Sequence, residues 1–224
     1  ARAKSARIYV VDVAGGTPRN LLGTWQYEPE SIQWIAPGAL RFTASIGGRS
    51  AILDVNVTGA APREIVGGRR RIGGLSVPTN GAIMAYTATS LTKPTELFVA
   101  DASGGSERQI THFNDALNQE VAWSDAERFT YRSVGNLEIE AWMMKPYGYE
   151  PGKKYPVVLY IHGGPHSAYG EGWFDEFQNL AAQGFPLSAD VEPVQCLRDN
   201  PDKGPRRAAI ARWKTCATTH VRPP

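Results

Sequence analysis

The stretch Lys154–Gly170, KYPVVLYIHGGPHSAYG, decides how the chain is read. Val157, Val158, Leu159, Tyr160 and Ile161 form a short unbroken apolar run, the pattern of a strand covered on both faces. The run ends at His162-Gly163-Gly164-Pro165, where two glycines allow backbone to approach another group with no Cβ in the way. Beyond it, Trp173, Phe174, Phe177, Leu180 and Ala181 recur at helical spacing, and Gly184 stands where a helix C-cap is expected. A strand, a glycine loop and a helix in that order can aim backbone N–H groups at an oxygen that becomes negative. A tight strand-to-helix turn without chemistry is the plain alternative.

Upstream, the sequence repeats. IYVVDVAGGTPRNL from Ile8, ILDVNVTGAAPREI from Ile52 and LFVADASGGSERQI from Leu97 can be laid over one another. Asp12, Asn56 and Asp101 coincide at separations of 44 and 45 residues, and so do Leu21, Ile65 and Ile110. Each copy reads as a strand, a small-residue turn and the start of another strand. Asp or Asn suits such a turn because its side chain can bond nearby backbone amides. Between the copies, segments starting at Ser31, Gly74 and Glu120 read as strand, turn and strand. Trp34, Val77 and Trp123 occupy like positions there and are expected in the core. About four short strands per 40–45 residues is the spacing of a β-propeller blade, so residues 1–133 are expected to form about three blades. Helical periodicity over ten or more residues is absent from this part.

Composition excludes several classes. Hydrophobic content of 42% and charged content of 21% are those of a globular chain. A net charge of +2 supports neither a nucleic-acid nor a membrane-surface partner. No apolar run approaches the length needed to span a bilayer, and the opening ARAKSARIYVVDV lacks the apolar core of a signal peptide. A cytoplasmic location is the resulting expectation. Cys196 and Cys216 are the two cysteines, too few for a disulfide scaffold or a four-cysteine zinc site. They are read as reduced thiols, with pairing to each other as the alternative.

The blades followed by LEIEAWMMKP, KKYPVVLYIHGGPHSAYG and WFDEFQNLAAQGF resemble the prolyl oligopeptidase family of serine peptidases, in its acylaminoacyl-peptidase/dipeptidyl-peptidase-like branch. The resemblance covers residues 1 to about 185 and is strongest from Leu137 to Phe185. It implies a mixed fold, a partial β-propeller followed by the start of an α/β-hydrolase domain. It also implies a Ser-Asp-His triad and an oxyanion donor from the backbone of His162, Gly163 and Gly164. No cofactor or metal is implied, and the partner is a short peptide substrate.

The triad itself cannot be placed. The nucleophile of such enzymes sits in a Gly-x-Ser-x-Gly elbow, and no such string occurs; the nearest, at Gly48 and Gly74, lack the second glycine. Ser167 carries no sign of activation, His220 has no nucleophile to serve, and His112 and His166 read as surface or packing residues. Asn56-Val57-Thr58 matches a glycosylation sequon inside a repeat, and Arg69-Arg70-Arg71 reads as a solvated basic turn, with a grip on acidic substrate ends as the alternative.

Residues 186–224 break the pattern. They hold both cysteines and six prolines, and they are expected to be disordered or frame-shifted.

These readings divide the chain into a partial propeller over 1–133, the first part of a hydrolase domain over 134–185 and an unassigned tail. The expected function is that of a serine-peptidase fragment, truncated at both ends, acting on short or N-acylated peptides and inactive by itself. A non-catalytic propeller-type interaction module with a vestigial hydrolase start is the alternative; a lipase- or esterase-type hydrolase is a third possibility that the blades disfavour. Val157, Val158, Leu159 and Ile161 would each gain about 1.5–3 kcal/mol from burial, so the part beyond the propeller strands is expected to fold poorly without further strands.

Overall fold

Three turns of one kind punctuate the first hundred residues. The side-chain oxygens of Asp12, Asn56 and Asp101 accept from the backbone N–H of Ala14, Thr58 and Ser103 at 2.8, 2.9 and 2.8 Å. In each turn a glycine N–H then donates to the carbonyl of the same Asp or Asn: Gly15 at 2.9 Å, Gly59 at 3.0 Å and Gly104 at 3.0 Å. These glycines have φ of +98°, +90° and +86°, the left-handed region that L side chains avoid. The repeat seen in sequence is thus a repeat of local chemistry. The structure, a computed structural model, describes residues 6–59, 61–78, 81–163 and 168–191.

The chain divides into two units, Ala1–Glu120 with Glu171–Trp173, and Val121–Gly170 with Phe174–Pro224. Most of the described structure is β-sheet, with few helices.

In the first unit β1 (Tyr9–Val10) and β2 (Arg19–Asn20) pair antiparallel. Then β3 (Pro29–Ala36), β4 (Ala39–Ile46), β5 (Arg49–Asn56) and β6 (Arg63–Val66) form a four-stranded meander in that order. A second meander follows with β7 (Arg71–Ser76), β8 (Ile83–Ser90), β9 (Lys93–Asp101) and β10 (Arg108–Gln109). The six-residue helix α1 (Asp115–Glu120) closes the stretch and buries none of its residues.

Alternation along the strands sorts side chains between two cores. Leu40, Phe42 and Ala44 of β4, with Ala51, Leu53 and Val55 of β5, pack against Ile8, Leu21 and Leu22. Ile52, from the opposite face of β5, joins Val66, Ile72, Leu75, Met84, Tyr86, Ala88 and Ala100 in the second core, against which Val77 packs. The first meander is therefore covered on both faces. A fully buried residue of the Leu or Phe class contributes about 1.5–3 kcal/mol.

Among the described residues of this unit Arg41, Glu96 and Glu171 are buried charged side chains, Arg41 the most deeply. Arg41 is 1% exposed, and its guanidinium holds Asp54 through two bonds, Nε to Oδ1 at 2.8 Å and Nη2 to Oδ2 at 3.0 Å. The same Nη2 donates to the Ala102 carbonyl at 2.6 Å, and Nη1 lies 3.5 Å from Met84 Sδ. Arg41 on the first meander thereby reaches the second.

Trp34 differs from expectation: it is 61% exposed rather than in the core. Its neighbour Gln33 turns inward instead, donating from Nε2 to the Leu75 carbonyl at 2.7 Å and accepting from the Val77 N–H at 3.1 Å. Successive residues of a strand point to opposite faces, so seating Gln33 turns Ile32 and Trp34 outward.

Arg69–Arg71 is not a freely solvated basic turn. Arg69 pairs with Glu171 at 3.3 Å, and Arg70 pairs with Glu107 while donating to the Gly67 carbonyl. The Arg71 side chain packs beside Gly172. Arg69 and Arg70 each pair with a carboxylate of this unit.

In the second unit β11 (Ala126–Arg132) pairs antiparallel with β12 (Glu138–Met144) along its whole length, from Ala126↔Met144 to Arg132↔Glu138. β11 thus shares its hydrogen bonds with β12, and the second unit begins at Val121. β13 (Val158–Tyr160), α2 (Asp175–Ala182) and β14 (Leu187–Val191) complete the unit, with sheet order β11-β12-β14-β13. β14 runs antiparallel to β12 and parallel to β13.

β14 corrects the reading of residues 186–224 as patternless from the start. Leu187, Ser188 and Ala189 are buried because a strand pairs on each side of them, which no periodicity in LSADV announces. Residues 192–224, including Cys196, Cys216 and His220, lie outside the described residues. β13 is shorter and less covered than Val157–Ile161 was expected to be. All three of its residues are half-buried and Val157 is exposed, since β14 is its one hydrogen-bonded neighbour among the described residues.

Candidate active-site loop

The unit β13-α2-β14 sets the loop. Two parallel strands cannot be joined by a tight turn, so the chain must leave the end of β13, cross over through a helix and return. His162 and Gly163 lie directly after β13, at its C-terminal end, which is where ligands bind in parallel sheets. Gly164, Pro165, His166 and Ser167 lie outside the described residues.

Aromatic rings fasten α2 to the strand. Phe177 is buried and takes Tyr160 edge-on at 5.2 Å, Tyr169 at 5.0 Å and Phe174 at 4.8 Å between ring centroids. Offset and edge-to-face pairs of this kind each add about 0.5–1.5 kcal/mol beyond burial. Asp175 and Glu176 sit in the first turn of α2, where negative charge complements the helix dipole. At the other end Gly184, at φ +89°, donates to the Ala181 carbonyl at 3.1 Å and stops the helix. Gln178 ties the helix to the loop before β11, donating to the Ser124 carbonyl and accepting from its N–H, both at 2.9 Å.

Tyr160 OH donates to the Glu176 carboxylate. That bond first, and burial second, push the phenol up to about 12, so it is neutral at physiological pH. His162 is half-buried, and its Nδ1 lies 3.1 Å from the Gly163 carbonyl. Its Nε2 is buried with no hydrogen-bond partner among the described residues. Gly163 is exposed, and a Cβ there would meet nothing within 4 Å. The sequence singled out the backbone of His162 and Gly163; the His162 ring and its bond were missed because nothing in H-G-G-P reveals a side chain folding back on its own loop.

The other residues weighed as candidates lie elsewhere. His112 is on the surface of the first unit with Asp115 at 2.9 Å, and Asn56 is exposed in its turn. Among the described residues no group of three or more His, Cys, Asp or Glu could hold a metal ion. No described helix is long and apolar enough to cross a membrane.

No family model matches the chain. Individual proteins do. An uncharacterized peptidase of Bacillus subtilis, YuxL, is 37% identical over 101 residues, which is 45% of this chain and 15% of that protein. Dipeptidyl-peptidase 5 of Porphyromonas gingivalis is 24% identical over 187 residues, 82% of this chain and 27% of its own length. Among solved structures, the acylaminoacyl peptidase of Pyrococcus horikoshii superposes with a TM-score of 0.68 at 26% identity, covering 82% of this chain and 27% of that one. These similar proteins are peptidases by name, and the matches are consistent with the prolyl oligopeptidase family of serine peptidases. Its largely β-sheet structure matches the propeller domain of such proteins. It spans roughly a quarter or less of the length of the proteins it matches.

Proposed function

We propose that this chain carries the propeller side and the oxyanion loop of a serine peptidase that cleaves short or N-acylated peptides. The observation that carries the reading is the β13-α2-β14 crossover with His162 and Gly163 at the strand end, in a chain whose relatives are peptidases. In this reading the meanders are consecutive propeller blades, with the β1-β2 pair as part of a third. The mixed sheet is the beginning of an α/β-hydrolase domain. Backbone N–H groups around His162, Gly163 and Gly164 bind the oxyanion of the tetrahedral intermediate, and the propeller limits access to short peptides.

The nucleophile, acid and base come from residues that this chain does not contain. Loss of triad members in serine peptidases costs on the order of a millionfold in turnover, so the 224-residue chain alone is inactive. The test is the full-length protein assayed with N-acylated dipeptide anilides and a serine-directed fluorophosphonate. Hydrolysis blocked by the reagent supports the reading. A full-length protein that neither hydrolyses these substrates nor takes up the reagent overturns it, and activity of the 224-residue chain overturns the assignment of the triad elsewhere.

A further inference from the structure

We propose that Glu171–Trp173 is a releasable clasp: the three residues seat on the first unit together and let go together, without either unit unfolding. The clasp is built from this chain's own contacts and does not rest on the peptidase reading. Its segment is the tip of a finger closed at the base by aromatic rings. Tyr169 and Phe174 lie 5.6 Å apart between ring centroids, and both pack on Phe177, at 5.0 and 4.8 Å. The chain therefore leaves this ring cluster and returns to it over residues 170–173. Glu171, Gly172 and Trp173 count with the first unit, whereas Gly170 and Phe174 count with the second.

The tip is held by contacts of different kinds. The Glu171 N–H donates to the Gly48 carbonyl at 2.8 Å, the Glu171 carboxylate takes Arg69 at 3.3 Å, and the Trp173 N–H donates to Thr89 Oγ1 at 3.2 Å. Between them Gly172 comes so near that a Cβ would stand 3.0 Å from Arg71 Cγ and 3.8 Å from Thr89 Cγ2. Glycine alone permits that approach. Two features make the seat one that opens. The Glu171 side chain is 6% exposed but that of Arg69 is 59%, so water and salt reach the ion pair from the arginine side. The three residues also lie outside every described helix and strand, so letting go breaks no helical turn and no ladder. A segment of this kind opens at far lower cost than the strands beneath it. With both ends pinned at the ring cluster, so short a tip moves as one body, and loss of one contact loosens the others.

The experiment is hydrogen-exchange mass spectrometry on the full-length protein, with fragmentation to single amides, following Glu171 and Trp173 against interior amides of β5, β9 and α2. Arg69→Gln removes the partner of the Glu171 carboxylate, and Thr89→Val removes the acceptor of the Trp173 N–H. Each variant is expected to speed exchange at both amides by about threefold to tenfold, with the β5, β9 and α2 amides unchanged. Gly172→Leu should do the same without touching a charge. Raising salt from about 0.1 to about 1 M shortens the screening length from about 10 to about 3 Å. Both amides should then exchange faster in the parent, and the salt response should vanish in Arg69→Gln. If each variant moves only the amide beside it, the contacts are independent and the clasp is overturned. Unchanged exchange in Arg69→Gln and Thr89→Val overturns it as well. So does a rise matched in β5 and β9, because that is unfolding of the first unit and not release of the tip.

Discussion

Arg41 offers the sharpest energetic test. Replacing it with Ala removes a guanidinium that satisfies both oxygens of Asp54 and the carbonyl of Ala102. Among the described residues Asp54 then keeps Arg63, at 3.9 Å and itself largely exposed. Asp54 is half-buried and Ala102 exposed, so water answers part of the loss, and each acceptor left short of a donor costs up to about 1–3 kcal/mol. With the packing of the buried Arg41 stem lost as well, the expected cost is about 3–5 kcal/mol. A domain of this size has about 5–15 kcal/mol in all. At a urea slope of about 2 kcal/mol/M, the midpoint should fall by about 1.5–2.5 M. The pairing logic makes a second demand. Arg41→Met combined with Asp54→Leu removes both charges and keeps apolar volume, so the double variant should lose less than Arg41→Ala alone. The assay is urea unfolding followed by far-UV circular dichroism on parent, single and double variants. A cost below about 1 kcal/mol for Arg41→Ala, or a double variant as unstable as the sum of the two singles, would refute the reasoning.

Three further outcomes follow from features of the two units. Burial works against the Glu96 carboxylate, but bonds from Thr111 Oγ and from the Asn114 backbone and side chain outweigh it and hold it below the usual carboxylate range. A depressed folded value means that its contribution is complete above the unfolded value of about 4.3 and is lost as pH falls through the folded one. Urea midpoints measured between pH 7 and pH 3 should fall less steeply in Glu96→Gln than in the parent. Gly15 and Gly104 occupy equivalent turns, but a Cβ at Gly104 would collide with the Ile65 carbonyl whereas one at Gly15 meets nothing. Gly15→Ala should therefore cost only the left-handed penalty of about 1–2 kcal/mol, and Gly104→Ala clearly more, read as melting temperatures. Alkaline absorbance titration should show Tyr86, Tyr160 and Tyr169 ionising above the ordinary range, Tyr160 pushed up to about 12, and Glu176→Gln should bring the Tyr160 step back down.

Much of the first unit could be read from residues alone because its information is local. Asp12, Asn56 and Asp101 make their turns with atoms two and three residues away, so the spacing of the repeat carries the geometry. What could not be read depends on partners distant in sequence. LSADV becomes a strand because β12 and β13 flank it. Trp34 lies outside because Gln33 finds Leu75 and Val77, more than forty residues on. Arg41 looks like an outward residue in LRFTAS until Asp54 and Ala102 close around it. For the loop, the glycines marked the place, but the orientation of the His162 ring is a matter of one rotamer and has no sequence signal.

The three residues Glu171–Trp173 belong to the first unit although both their flanks belong to the second. Glu171 donates from its backbone to the Gly48 carbonyl at 2.8 Å and reaches Arg69, 102 positions earlier, while Trp173 donates to Thr89 Oγ1 at 3.2 Å. On a ribosome that adds about 5–20 residues per second, Gly48, Arg69 and Thr89 emerge seconds before the segment that covers them. The first unit therefore passes through a stage in which its strands are made but one of its seats is vacant. Long-range closures of this kind slow folding, and here the delay is written into the order of synthesis: the earlier unit is finished only by a stretch translated in the middle of the later one.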